Sequence, residues 1–231
     1  MSRSKLYRAR LEKFDRQKTY AIEDAVKLLK EFPPCKFDET VELAFRLGVD
    51  PRQSDQVVRG AVSLPNGSGK KVRVAVIAGG DAAAAAKAAG ADEVGFEDLI
   101  KRIEEGWLEF DVLITTPAAM KNLRSLGRVL GPRGLMPNPK TGTLTDDTAN
   151  AVKEAKAGRV EYRTDKGGCV QAPVGKRSFE AKALPENANA VIQAVLRAKP
   201  ASTKGTYVLN LTISATMSPG IRVDLRSVMK A

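Results

Sequence analysis

Between residues 70 and 126 the chain alternates short apolar runs with stretches about ten residues long, and this rhythm restricts its fold more than any other feature. KVRVAVIAG reads as a strand, and DAAAAAKAAG after it as a helix with Asp81 as its N-cap. ADEVG is a short strand, FEDLIKRIEEG a helix and FDVLITT a strand, and PAAMKNLRSLG is a helix with proline in its first turn. Strands alternating with helices of this length make βαβ units around a parallel sheet.

The flanking segments keep a different pattern. A basic helix in MSRSKLYRARLEKF precedes TYAIEDAVKLLKEF, whose Ala21, Ile22, Ala25, Val26, Leu28 and Leu29 share one helix face. Strands ETVELAFRLG and VVRGAVSLP follow. Beyond residue 158 come the hairpin-like RVEYRTDKGGCVQAPV, the helix PENANAVIQAVLRAK, and the strands GTYVLNLTISAT and IRVDL. The expected fold is therefore α/β and α+β in two domains. A discontinuous antiparallel α+β domain, residues 1–67 and 159–231, carries an inserted Rossmann-like three-layer α/β domain, residues 68–158. PNGSGK and AKAG read as linkers at the two crossings, where a hinge would fit. Two separate small units in the flanks are the alternative.

Charge separates the two domains. The 231-residue chain carries 38 Lys and Arg against 27 Asp and Glu, a net +11. Residues 68–158 account for only +1 of this excess, and the split domain for +10. An excess of this size points to a polyanion, usually nucleic acid, and its location assigns the contact to the split domain.

The absences exclude other chemistry. With no histidine, imidazole bases, histidine-dependent triads and nearly all zinc sites are ruled out, and no metal or cofactor is expected. Cys35 and Cys169 stand far apart and read as reduced, buried thiols. The longest nearly apolar run is interrupted by Lys87, so no membrane span is expected. The basic N-terminus has no apolar secretion segment; by charge it also fits a transit peptide, but a plain basic helix is preferred.

Two stretches invite an enzymatic reading and fail it. Gly79-Gly80-Asp81 has neither the spacing nor the third glycine of a dinucleotide fingerprint, and Asp81 sets a carboxylate where a phosphate would lie. NGSGKK has Leu64 and Lys71 where a phosphate loop needs glycine and a hydroxyl. No nucleophile–base pair is legible. A nucleotide-dependent enzyme built on the inserted domain remains the alternative to a binding protein.

The strands of the split domain suit RNA, which is recognised through shape, backbone, 2′-hydroxyls and stacking. In GTYVLNLTISATMSPG, alternation puts Tyr207, Leu209, Leu211, Ile213 and Ala215 on a core face. Thr206, Val208, Asn210, Thr212, Ser214 and Thr216 fall on the opposite, polar face. ETVELAFRLG repeats the device, with Val41, Leu43, Phe45 and Leu47 inward and Thr40, Glu42, Ala44 and Arg46 outward. Lys36 and Phe37 set a cation and an aromatic ring at its start.

FDETVE, DPRQSDQVVRGAVSLPNGSGK, GADEVG, GRVLGPRGLMPNPKTGT, AGRVEYR, APVGK and SATMSPG together make the chain resemble the L-one family of bacterial large-subunit ribosomal proteins over essentially its whole length. The resemblance implies a non-enzymatic cytoplasmic protein of the mobile lateral stalk, monomeric outside the ribosome. Its implied partners are the 23S rRNA stalk, the exit-site tRNA it helps release, and its own operon mRNA, whose translation it represses. Carried over by position, the RNA-binding residues are Lys36, Phe37, Thr40, Glu42, Lys166, Asn210, Thr216, Met217 and Ser218. Ser218 stands where the family usually has glycine, so a positive φ there would strain the turn. The loop 127–143, with Arg128, Arg133 and Lys140, reads as a shaped cationic loop for interdomain or secondary RNA contact; a packed structural loop is the alternative.

Overall fold

The computed structural model describes residues 4–228. It begins with helices α1 (Lys5–Leu11) and α2 (Ile22–Glu31), then strands β1 (Thr40–Leu47) and β2 (Arg59–Ser63). Next come β3 (Val74–Ile77), α3 (Gly80–Ala88), β4 (Glu93–Gly95), α4 (Glu97–Glu104) and β5 (Val112–Thr115). The short helices α5 (Met120–Leu123) and α6 (Gly127–Leu130) precede α7 (Thr148–Ala157). The chain closes with β6 (Arg159–Arg163), β7 (Cys169–Lys176), α8 (Ala183–Arg197), β8 (Val208–Ala215), β9 (Ile221–Arg222) and α9 (Leu225–Val228). Its contacts fall into two units: Lys70–Arg159, and the chain up to Gly69 joined with the chain from Val160 onward.

In the split unit β1 is central in a four-stranded sheet ordered β7-β1-β8-β9, antiparallel throughout, while β2 pairs with β6 in a second, two-stranded sheet. The period-two pattern of β1 drives Val41, Leu43, Phe45 and Leu47 into the core. They meet Val170, Ala172 and Val174 of β7 and Leu211, Ile213 and Ala215 of β8. Helices α2 and α8 close this face, α2 through Ile22, Ala25, Val26 and Leu29 at helical spacing.

Strict alternation fails in β8. Leu209, expected in the core row, is 50% exposed, and Val208, expected outside, is buried. The register explains it: Arg46 faces Asn210 while Leu47 faces Val208, so Leu209 is the extra residue of a β-bulge. At this strand end the Gly48 N–H donates to Tyr207 O at 2.7 Å, and a Cβ on Gly48 would strike the Thr206 carbonyl. Close backbone approach therefore takes precedence over side-chain alternation there.

Neither expected linker is slack. The side-chain amide of the fully buried Asn187 on α8 accepts from Asn66 N (3.0 Å) and donates to Gly67 O (3.0 Å) and Val174 O (2.7 Å), which pins PNGSGK to the split unit. AKAG is the last turn of α7, with Ala155 buried and Gly158 as a left-handed C-cap at φ 105°. The hairpin-like segment also differs from expectation. β6 and β7 belong to different sheets, and the segment between them is joined to β7 by the isolated bridge of Thr164 with Val170, beside a turn held by Asp165.

The other unit is a parallel sheet ordered β4-β3-β5 with helices on both faces. Ala75 and Ile77 of β3 meet Leu99, Ile103, Leu123 and Leu130, while Val74 and Val76 meet Ala86, Val152 and Ala155 on the other side. This makes the three layers expected of its βαβ rhythm. Asp81 does not cap α3; Gly79 holds that position, and Asp81 lies in the first turn, where its charge suits the helix dipole. The single helix expected over PAAMKNLRSLG is broken into α5, a 3-10 turn at Arg124–Leu126, and α6. The tighter turn keeps Leu123, Leu126 and Leu130 all on the buried side. Both cysteines are free and half-buried rather than sealed.

Replacing Asn187 by leucine removes the partner of the part-buried Asn66 N–H and Gly67 carbonyl and of the buried Val174 carbonyl, and should cost about 2–4 kcal/mol. All four tyrosines lie in the split unit and the single tryptophan, Trp107, in the other. Urea unfolding of Asn187→Leu should therefore shift the tyrosine transition well below that of the unvaried protein and leave the tryptophan transition in place.

Candidate nucleic-acid interface

The start of β1 and the turn after β8 are built against each other. Thr40 continues the ladder: its N–H donates to Thr216 Oγ1 (3.1 Å), and its carbonyl accepts from Thr216 N (3.1 Å) and Thr216 Oγ1 (3.3 Å). Lys176 at the facing end of β7 donates its ammonium to Thr40 Oγ1 at 2.9 Å. The turn closes on itself, with Ser218 N donating to Ala215 O (2.9 Å) and Ala215 N to Ser218 Oγ (2.7 Å). Among the described residues no non-glycine has a positive φ, so Ser218 sits unstrained and its hydroxyl supplies a bond glycine could not make.

Beneath this corner lies Glu39, with no exposed side-chain surface. Its Oε1 accepts from Arg10 Nη1 (2.8 Å) and Met217 N (3.0 Å), and its Oε2 from Arg10 Nη2 (2.8 Å) and Arg177 Nη1 (2.8 Å). The same guanidiniums reach the carbonyls that end α2: Arg10 binds Pro33 O, and Arg177 binds Lys30 O, Phe32 O and Pro33 O. Lys30 O, in the last turn of α2, lies at the negative end of the helix dipole, which suits the Arg177 cation, while Arg10 holds the Pro33 carbonyl just beyond the helix.

Lys36 and Phe37, just before this corner in the chain, are exposed, Phe37 at 54%, as is Met217 within the turn at 49%. Thr216 is exposed, and Thr40 and Ser218 are half-buried. Glu42, one step along β1, is exposed and pairs with Ser214 on β8 and Pro173 on β7. The other two predicted residues lie elsewhere. Asn210 faces Arg46, and Lys166 is exposed in the turn before Cys169, which also faces Arg46, so both mark the far end of the sheet. Six residues of strand separate the two groups, about 20 Å. Between them the outward row continues through Ala44, Thr212 and Gln171.

Sequence reasoning missed Glu39, Arg10, Arg177, Lys176 and Arg222. The last is exposed on β9 opposite Thr212 and adds a cation beside the polar row. A signal for Glu39 was present: counting back by twos from Val41 puts it on the core face, where a carboxylate must be paired. Arg10 likewise lies on the same α1 face as the half-buried Leu6 and Tyr7.

In the other unit acids and bases pair locally: Lys70 and Arg73 with Asp111, Arg102 with Glu93, Lys156 with Asp92, and Arg159 with Glu154. Its loop 127–143 is less irregular than expected, with α6 and a 3-10 turn at Pro139–Thr141. Leu130 is buried, and Leu135 and Met136 pack on the apolar cluster beside it. Arg128 and Arg133 are exposed; the Lys140 side chain lies outside the described residues.

Burial alone would raise the Glu39 pKa, but the bonds from Arg10, Met217 N and Arg177 outweigh it and hold the carboxyl at about 2. A depressed carboxyl pKa adds stability above the unfolded value near 4.3, and that stability is lost as pH falls toward 2. The loss should reach about 3 kcal/mol over that window. The split unit's tyrosine-detected unfolding should show it, and Glu39→Gln should flatten the dependence.

The model of the Ribosomal protein L1p/L10e family matches residues 29–219. The chain is 57% identical over 221 residues to the large ribosomal subunit protein uL1 of Methylobacillus flagellatus, covering 96% of each chain. It is 56% identical over 214 residues to the protein of the same name from Chromobacterium violaceum, covering 93% of each. A match of this extent sets aside the nucleotide-dependent enzyme: the chain belongs to the ribosomal protein L1p/L10e family, whose members are structural ribosomal proteins.

Proposed function

We propose that this protein is a cytoplasmic component of the large ribosomal subunit that binds 23S rRNA at the lateral stalk through the corner formed by Lys36–Glu42 and Thr216–Ser218. The observation that carries this reading is an exposed aromatic ring, Phe37, next to Lys36 in the chain and three residues before Thr40, which is hydrogen-bonded to the hydroxyl-bearing turn on the cationic unit. Folded RNA offers such a corner unstacked bases for the ring, phosphates for Lys36 and Lys176, and 2′-hydroxyls for Thr216 and the Glu42 carboxylate. The far group, Asn210 with Lys166, is a second contact along the same polar row. The resemblance to the L-one family supports two further roles: release of deacylated tRNA from the exit site, and repression of its own operon messenger through a similar RNA shape. The loop bearing Arg128 and Arg133 is proposed as a secondary contact.

Footprinting on 23S rRNA tests the reading. Protections should fall at the stalk junction, and a protein that protects no site there would overturn it. Phe37→Ala should weaken binding by about 1–3 kcal/mol through lost stacking. Because the ring is exposed, the urea midpoint should stay within experimental error. Lys36→Ala should reduce the salt slope of binding by about one.

A further inference from the structure

We propose that Glu39, which reaches no solvent, is the positioning residue for RNA recognition: it fixes the central peptide of the Thr216–Met217 turn so that the Thr216 carbonyl faces the ligand. The inference rests on the RNA-binding reading above. The turn is closed at its ends by the Ala215–Ser218 pair and tied to β1 through Thr216. Neither set of bonds restrains the peptide between Thr216 and Met217, and that peptide is the one whose flip distinguishes the common turn types. Its N–H donates to Glu39 Oε1 at 3.0 Å.

In a trans peptide the carbonyl points opposite to the N–H, and no cis bond occurs among the described residues. Anchoring the Met217 N–H on a buried carboxylate therefore turns the Thr216 carbonyl away from the core, toward the side where Thr216 and Met217 are exposed. The outward acceptor suits a ribose 2′-hydroxyl or a base amino group. The anchor is itself immobile, because both Glu39 oxygens are held by guanidiniums from α1 and from the segment after β7. Glutamine cannot replace it. One amide oxygen cannot serve both sides of the site, so its NH2 must face either Met217 N–H with Arg10, or Arg10 with Arg177.

The test combines two measurements on the full chain, with a 23S rRNA stalk fragment as ligand. In Glu39→Gln, exchange of the Met217 amide should accelerate at least about tenfold, and the Kd for the fragment should rise about tenfold, with the salt slope unchanged because no phosphate contact is lost. Val191→Ala, a truncation in the fully buried face of α8, should lower the urea midpoint and leave both readouts near those of the unvaried protein. An unchanged Kd in Glu39→Gln, a reduced salt slope, or an equal loss of affinity in Val191→Ala would overturn the assignment. Glu39→Asp keeps the charge on a side chain one methylene shorter. It should speed Met217 exchange to a smaller degree and serves if the glutamine variant does not fold. Should the unvaried protein fail to bind the fragment, the RNA reading falls, and Met217 exchange alone decides whether Glu39 orders the turn.

Discussion

A single carboxylate without solvent contact organises the split unit's polar corner. Glu39 accepts four hydrogen bonds, from Arg10, Arg177 and the Met217 amide, and leaves no oxygen unsatisfied. Burying three charged groups is expensive, and their mutual attraction offsets the cost only when the geometry is complete. The network therefore works as an all-or-none clamp. It joins the N-terminal helix, the end of α2, the start of β1 and the turn after β8, segments from distant parts of the chain.

The remaining exposed groups follow from this clamp. Thr40 and Thr216 are held together by the hydrogen bonds between them, Lys176 donates to Thr40, and the side chains of Phe37 and Met217 are exposed. For the RNA contact proposed above, holding these groups in place in advance spares the conformational entropy that mobile groups would lose on binding. Charge is apportioned to match. The α/β unit pairs its acids and bases internally, and the cationic excess is left on the split unit.

Much of the fold was readable because it is local. The alternation in Val41, Leu43, Phe45 and Leu47, the helical stripe in α2, and the strand–helix rhythm of the inserted unit each depend on residues within a few positions of one another. Legibility ended where distant backbone intervened. The bulge at Leu209 arises from the approach of Gly48 to Thr206 and Tyr207, some 160 residues away in the chain. PNGSGK has the composition of a linker and is pinned by an asparagine on α8, and AKAG turned out to be a capped helix end. For the site, Lys36, Phe37, Thr40 and Thr216 could be named from the motifs they stand in. Lys166 and Asn210 could be named too, but their place at the opposite end of the sheet could not.

Sequence alone determined the two kinds of domain, the cationic excess of the split one, and the inward row on which Glu39 falls, because periodicity and charge are properties of neighbours. Only the tertiary structure decided which cations meet Glu39. Arg10 lies 29 residues before it and Arg177 138 after, and nothing but the packing of α1, α2 and β7 around β1 brings those guanidiniums to one carboxylate. The same packing sets the Met217 amide against it, and so determines which face of the turn is presented outward.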